Sequence, residues 1–264
     1  MLSNTNKDPF DASLDLLRRL DPKDVTKNLE SLCKLNPSLA GDLLASVDQP
    51  LGVKVCKKTS KKYLTCDYNR DGDSYRSPWS GDYEPAVADG PVPSADLRKL
   101  EILANDSFDV YRDLYYEGGI SSVYLWDQDN GDFAGIVLLK KQADKSVWDS
   151  IHVFEVESEG RRSANYKVTS TVILDVQDGS GLINLSGNLT RQTEKVLPVE
   201  DEASHIANIG SLVEDIESKL RNILTEVYFG KTRDIIGDLR SVQTLTEVNT
   251  ERELQSEVAK SFGA

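Results

Sequence analysis

The chain has 264 residues, 39% of them hydrophobic, and carries 44 acidic against 31 basic side chains, a formal net charge of −13. Phosphate backbones and anionic lipid would be repelled before contact, so neither nucleic acid nor a membrane surface is expected as a partner. A hydrophobic fraction on the low side for a globular chain fits a subunit that completes its core against another chain.

The N-terminus lacks a basic start followed by an apolar core, because Asp8, Asp11 and Asp15 interrupt it, so no signal peptide is expected. Phe133 to Leu139 falls far short of the ~20 apolar residues that span a bilayer, so no membrane insertion is expected. Cys33, Cys56 and Cys66 have no CxxC spacing, and only His152 and His205 are available beside them. A zinc site would lack ligands, no metal or other cofactor is expected, and the cysteines read as reduced thiols of a cytoplasmic protein.

Taken in chain order, residues 1–48 predict a small helical bundle. Leu14, Leu17 and Leu20 share one face, Leu29 and Leu32 another, and Leu39, Leu43, Leu44 and Val47 a third. Pro22 and Pro37 punctuate them, because proline presets a first helical turn and cannot continue a helix from behind, so three short antiparallel helices follow. Residues 49–93 are extended. Lys54, Lys57, Lys58, Lys61 and Lys62 crowd around a turn at Thr59 and Ser60, either as a docking patch for an acidic partner or, the commoner case, as lysines solvating an exposed hairpin.

The run Cys66-Asp67-Tyr68-Asn69-Arg70-Asp71-Gly72 opens like a calcium loop, with oxygen side chains at alternate positions and a glycine for the turn. The closing bidentate glutamate is missing, since Pro78 stands at the twelfth position and no helix can leave from it, so the run predicts an ordered turn. After Pro85, Pro91 and Pro93, residues 94–119 predict a helix that starts at Ser94, carries Leu97, Leu100, Ile102, Leu103, Phe108 and Tyr111, and stops at Gly118-Gly119.

Between 120 and 197 the apolar period changes to two, as in Tyr166, Val168 and Val172 against Lys167, Thr169 and Thr171. Five strands are predicted: Ser121 to Asp127, Phe133 to Gln142, Trp148 to Glu157, Asn165 to Gln177 and Leu182 to Lys195. Short turns join them into an antiparallel meander with one face to be covered. Residues 204–240 supply the cover. Ile206, Ile209, Val213, Ile216, Leu220, Ile223 and Val227 step by three and four along a helix from about Ser204 to Tyr228, and a further helical turn carries Ile235, Ile236 and Leu239. Such a helix is longer than its own sheet is wide, so a partner sheet is expected beneath its overhang; the rival reading of the seam is a homodimeric coiled-coil scaffold.

Residues 241–264 predict a terminal amphipathic helix. Thr250 with Glu253 forms a capping box, and Leu254, Val258 and Phe262 make one narrow stripe among Glu251, Arg252, Glu253, Glu257 and Lys260. The fold class is therefore α+β: short N-terminal helices, a five-stranded antiparallel meander crossed by one long helix, and a helical tail, taken together as one structural unit.

The hexapeptide Cys66 to Asp71 resembles the signature of the F-actin-capping protein beta-subunit family. The resemblance extends through Tyr111-Arg112-Asp113-Leu114-Tyr115, Ser121 to Trp126, Trp148 to Val153, Leu189 to Gln192, His205 to Gly210 and Tyr228 to Thr232, in the family's order and over about nine tenths of the chain. It implies pairing with a homologous alpha subunit in a continuous antiparallel sheet, a place in the cytoplasmic actin cytoskeleton, and a dimer that blocks filament barbed ends without calcium or nucleotide. It also implies regulation by capping-protein-interacting proteins and an actin-binding tail carried by Leu254, Val258, Phe262, Arg252 and Lys260. No enzyme is expected, since the chain has no glycine-rich phosphate loop, HExxH or nucleophile elbow, and His152 and His205 fall where packing or capping is the commoner role.

Overall fold

The structure, a computed structural model, describes residues 24–40, 51–143, 146–160, 162–177, 184–231 and 233–234, with isolated positions at 9, 12, 13, 16 and 43. The chain divides into two units, 1–50 and 51–264. In the first, helix α1 spans Val25–Leu35 and a tighter turn follows at Pro37–Leu39, with Pro37 at its start as the sequence leads one to expect. Leu29, Leu32 and Leu43 are buried together, with Cys33 and Leu39 packed beside them. Leu14, Leu17, Leu20, Leu44 and Val47, which carry most of the two flanking predicted helices, lie outside the described residues.

The second unit begins with the lysine-rich hairpin, β1 (Gly52–Val55) paired with β2 (Lys62–Thr65). Three short strands follow, β3 (Arg70–Asp71), β4 (Ser74–Arg76) and β5 (Tyr83–Glu84), paired in that order into a small sheet of their own. Helix α2 (Ala95–Tyr115) comes next. Its N-terminus is tied to the main sheet by Asp127, whose carboxylate accepts from the Ser94 amide at 2.7 Å and the Ser94 hydroxyl at 2.6 Å, an anion placed where a helix start favours one. Gly118, at φ +73°, takes the left-handed conformation that ends the segment.

The main sheet is the predicted five-stranded meander: β6 (Ile120–Asp127), β7 (Phe133–Ala143), β8 (Ser146–Ser158), β9 (Ser163–Gln177) and β10 (Asn184–Pro198), every neighbouring pair antiparallel and in sequence order. One register row runs Val123, Val137, His152, Ser170 and Arg191 across all five strands. Val123, Val137, Leu139, Phe154, Tyr166 and Val168 face helices α2 and α3 in the principal core. The opposite face is also covered at the β6–β7 side, where Leu51 and Leu64 of the hairpin region bury Tyr124, Ile136 and Leu138. The expectation of a single covered face is corrected here: Ile136 to Leu139 is a continuous apolar run, the pattern of a strand buried on both sides.

Helix α3 (Glu202–Thr225) crosses this sheet and continues into a wider π-helical turn at Glu226–Lys231. Its start lies two residues earlier than expected because Asp201 caps it, accepting from the Ser204 amide at 2.8 Å. At 1.5 Å per residue its 24 residues reach about 36 Å. The buried face is Ile209, Leu212, Val213, Ile216, Glu217, Leu220 and Leu224, while Ile206 and Ile223 are half-buried and Val227 is 42% exposed. The predicted seam is right in its middle and drifts off at its end. A strict seven-residue repeat rotates ~20° per heptad around a straight helix, and a helix on a sheet stays straight enough to show it. Ile209, Val213, Ile216 and Leu220 are thereby committed to the chain's own core, which removes them from a coiled coil.

Candidate functional site

The signature hexapeptide is a structural clasp. Residues Asp67–Asn69 form one tight turn, and the Asn69 side chain, 1% exposed, closes it by accepting from the Cys66 amide at 2.8 Å and donating to the Arg76 carbonyl at 2.9 Å. Burial pushes the Cys66 thiol up to about 11. Arg70 donates to the Gly72 carbonyl at 2.7 Å, and Gly72 (φ +56°) makes the turn into β4. Asp71 sits in β3 opposite Ser74. Asp67 points outward, its side chain 85% exposed. Tyr68 is exposed and stacks on Trp126 with ring centres 5.0 Å apart. Among the described residues no group of three or more His, Cys, Asp or Glu side chains is placed to hold a metal ion.

The clasp is anchored from behind by a buried carboxylate. Glu101 of α2 receives both terminal nitrogens of Arg76, at 2.7 and 2.8 Å, together with Arg98 and the Leu125 amide at 2.6 Å. Loop, helix and first main strand are thus fastened at one point.

A larger polar cluster lies under α3, where the sequence pattern suggested only apolar contact. Glu217, 1% exposed, has both carboxylate oxygens 2.5 Å from the Tyr116 hydroxyl and takes further hydrogen bonds from Tyr111 at 3.2 Å and Arg221 at 2.8 Å. His152 reaches Glu217 at 3.1 Å through Nε2 and Ser170 at 2.7 Å through Nδ1. Trp148 Nε1 donates to Ser150 at 2.8 Å and to Tyr116 at 3.1 Å. Burial raises the Glu217 pKa, but the hydrogen bonds from His152, Ser150 and Tyr116 outweigh it and leave the value at about 2. His205 contacts the Tyr166 hydroxyl at 2.8 Å and meets Phe133 edge-on. Both histidines are therefore packing residues within hydrogen-bonded surroundings. A Glu and a Tyr at apolar helix positions, near two aromatic-rich segments, were the only signal for the cluster in the sequence.

The lysine hairpin folds back on its neighbours. Lys58 pairs with Asp82 at 2.8 Å and Lys57 with Glu84 at 3.8 Å, while Lys54 and Lys61 sit over the Tyr75 and Trp79 rings at 4.1 and 4.2 Å. Pairs and stackings this exposed are screened by solvent and contribute little to stability. Two of the five lysines thus meet carboxylates and two more lie against rings of the same unit, as expected of a hairpin solvated by its own side chains.

The remaining surface of note is the outer edge of β10. The strand pairs with β9 over Asn184–Pro198 and, among the described residues, has no strand on its other side. Its side chains at 188, 190–192 and 194–196 are exposed, in contrast to the buried interiors of β6 to β9. Beside the edge, a groove of ≈390 Å³ runs between Arg191, Gln192 and Thr193 on the strand and Leu212, Ile216 and Ile223 on α3. Lys195 crosses to Asp215 at 3.5 Å. The expected actin-binding residues Leu254, Val258, Phe262, Arg252 and Lys260, like Ile235, Ile236 and Leu239, lie outside the described residues.

Comparison with known proteins gives a consistent result. Residues 10–236 match the family model described as F-actin capping protein, beta subunit. The chain is 66% identical over 257 residues to a Yarrowia lipolytica protein named F-actin-capping protein subunit beta, covering 96% of this chain and 98% of that one. It is 56% identical over 261 residues to the protein of the same name from Aspergillus oryzae, covering 96% and 97%. The Neurospora crassa protein of that name is 54% identical over 284 residues, covering 97% and 98%.

Proposed function

The chain belongs to the F-actin capping protein beta-subunit family, and we propose on that premise that it is one half of a heterodimer with an alpha subunit that caps the barbed end of the actin filament. The observation that supports this most is the outer edge of β10, which has no paired strand among the described residues. An open strand of 15 residues is a template for aggregation unless another chain covers it. An alpha subunit adding its own strand there would extend the five-stranded sheet across the dimer, and its helix would fill the groove between β10 and α3.

Capping in this reading is occlusion. The dimer engages two terminal actin subunits at once, so monomers neither add nor leave, and the reaction needs no catalysis, calcium or nucleotide. The tail supplies one attachment. Burying Leu254, Val258 and Phe262 in a cleft yields roughly 5–8 kcal/mol gross, from ~1.5–3 per side chain, before about a dozen residues are ordered. Arg252 and Lys260 add up to ~1 kcal/mol each against acidic groups at the cleft's rim. Alone it binds weakly; joined to a second attachment on the alpha subunit it acts at high effective concentration, and the complex leaves slowly. An assembly acting on filaments in this way works in the cytoplasm, within the actin cytoskeleton, where capping-protein-interacting proteins regulate it.

The test is co-expression with an alpha subunit, followed by elongation of pyrene-actin from seeds. Substoichiometric complex should stop barbed-end growth with or without a calcium chelator. A stable homodimer of this chain, with no effect on elongation, would replace the reading with a scaffold.

A further inference from the structure

On the flank of α3 away from β10, helix α2 runs alongside and the two enclose a second apolar groove of ≈390 Å³. Leu103, Ser107, Val110 and Leu114 follow one another on α2 in steps of four, three and four residues. Ala203, Ala207, Gly210 and Glu214 repeat the same steps on α3. Residues so spaced fall on one face of a helix; the groove itself is lined on α2 by Leu103, Ser107, Phe108 and Tyr111 and on α3 by Ala203, Ile206, Ala207, Gly210 and Glu214. Of the groove's α2 lining Leu103 is 45% exposed, and Val110 and Leu114, further along the same face of the helix, are 60% and 73% exposed. Up to Gly210 this α3 seam is of small residues, and a Cβ added at Gly210 would meet nothing within 4 Å. A groove with bulky Leu103, Phe108 and Tyr111 on one wall and small Ala203, Ala207 and Gly210 on the other is shaped to seat a third helix. Residues 203–214 offer it about 16 Å, three turns.

Charge selects among helices. Glu214 lines the groove, and Asp106, Glu117 and Glu202 are exposed neighbours of its lining in the chain; among the described residues none of the four is in an ion pair, although Lys99, itself paired with Asp96, acts on Glu202 from a distance. Tyr115 donates to Glu214 at 2.7 Å without neutralising it. The nearby Arg112 is already spent on Asp109 and Asp113, at 2.9 and 2.8 Å. The chain's own terminal stripe is flanked by Glu251, Glu253 and Glu257 against Arg252 and Lys260, so its charge has the sign of the rim. We infer that the groove between α2 and α3 is a docking site for a cationic amphipathic helix of a partner protein. The inference goes beyond the capping reading and does not depend on it.

The probe is a fluorescein-labelled peptide of about 18 residues with Leu and Ala on one face and Lys and Arg elsewhere, and a counterpart with Glu at every basic position. Both are titrated by anisotropy into the full-length chain, in whichever soluble form it purifies. The cationic peptide should bind and the acidic one should not, with affinity falling at least about tenfold between about 50 and about 300 mM salt. Gly210→Trp fills the open space and should weaken binding at least about tenfold. Should that variant not fold, Leu103→Lys, at an exposed position in the groove's lining, should do the same. Absent binding, equal binding of the acidic peptide, or binding that survives these variants overturns the inference. So does a large rise in affinity on deleting 249–264, which would make the chain's own tail the occupant.

Discussion

Glu217 is the residue on which the polar interior turns, because it joins one helix to the sheet and to the end of another through Tyr116, Tyr111 and His152. Its folded pKa, about 2, lies below the ordinary 4.5. A carboxylate so shifted contributes stability that is fully present above pH 4.5 and is lost as the pH falls through about 2. Glu217→Ala leaves His152 and two tyrosines without their buried acceptor and should cost about 3–5 kcal/mol near neutral pH. Urea melts of the folded protein from about pH 7 down to about pH 2 check this: the gap between wild type and variant should narrow as the acid limit is approached. A gap that stays constant would mean that the cost is packing rather than charge. Asn69 makes a smaller, uncharged case. Asn69→Ala removes one buried and one part-buried hydrogen bond from the clasp and should cost about 1–3 kcal/mol in the same melts at all these pH values.

At the scale of elements, Leu220 and Val227 are a matched pair for testing where α3 lies. Both belong to the seam that the spacing predicts, yet Leu220 is fully buried against Val172 and Val227 is 42% exposed. Leu220→Ala should cost about 2–5 kcal/mol, whereas Val227→Ala should stay within ~0.5. Equal costs in denaturant melts would mean that the helix continues in contact past Thr225. The contrast also marks how far the sequence reaches. Strand existence, order and approximate bounds were legible, because alternation in Tyr166, Val168 and Val172 and turn residues such as Gly131 are local signals. The covering helix was legible for the same reason. What occupies a buried face was not. Ile102 and Leu103, apolar residues of α2, are about half exposed, while Glu101 and Asn105 beside them are buried. Their burial depends on Arg76 and on the backbone of Val123 and Leu125, partners that only the fold brings near. Leu51 and Leu64 were illegible as a second cover for like reason: a hairpin's position over a distant sheet leaves no periodicity of its own.

For the whole molecule, the question is whether the body stands without its end. Every buried cluster among the described residues is drawn from positions up to 224, and the sheet is complete by Pro198. Folding and alpha-subunit assembly should therefore be indifferent to Asn249–Ala264, while capping, in the proposed mechanism, should not. Deleting 249–264 is expected to leave a 1:1 complex with unchanged sedimentation but to raise its off-rate from barbed ends at least about tenfold, the loss of one of two linked attachments. Deletion alone cannot separate the stripe from the charges around it. Leu254→Asp with Val258→Asp keeps the length and removes only the apolar contact, and should raise the off-rate nearly as far. If the deletion abolishes assembly, the segment belongs to the body. If assembly holds and neither variant leaves filament ends faster, the grip lies elsewhere on the dimer, and the exposed faces of α2, α3 and the alpha subunit must supply it.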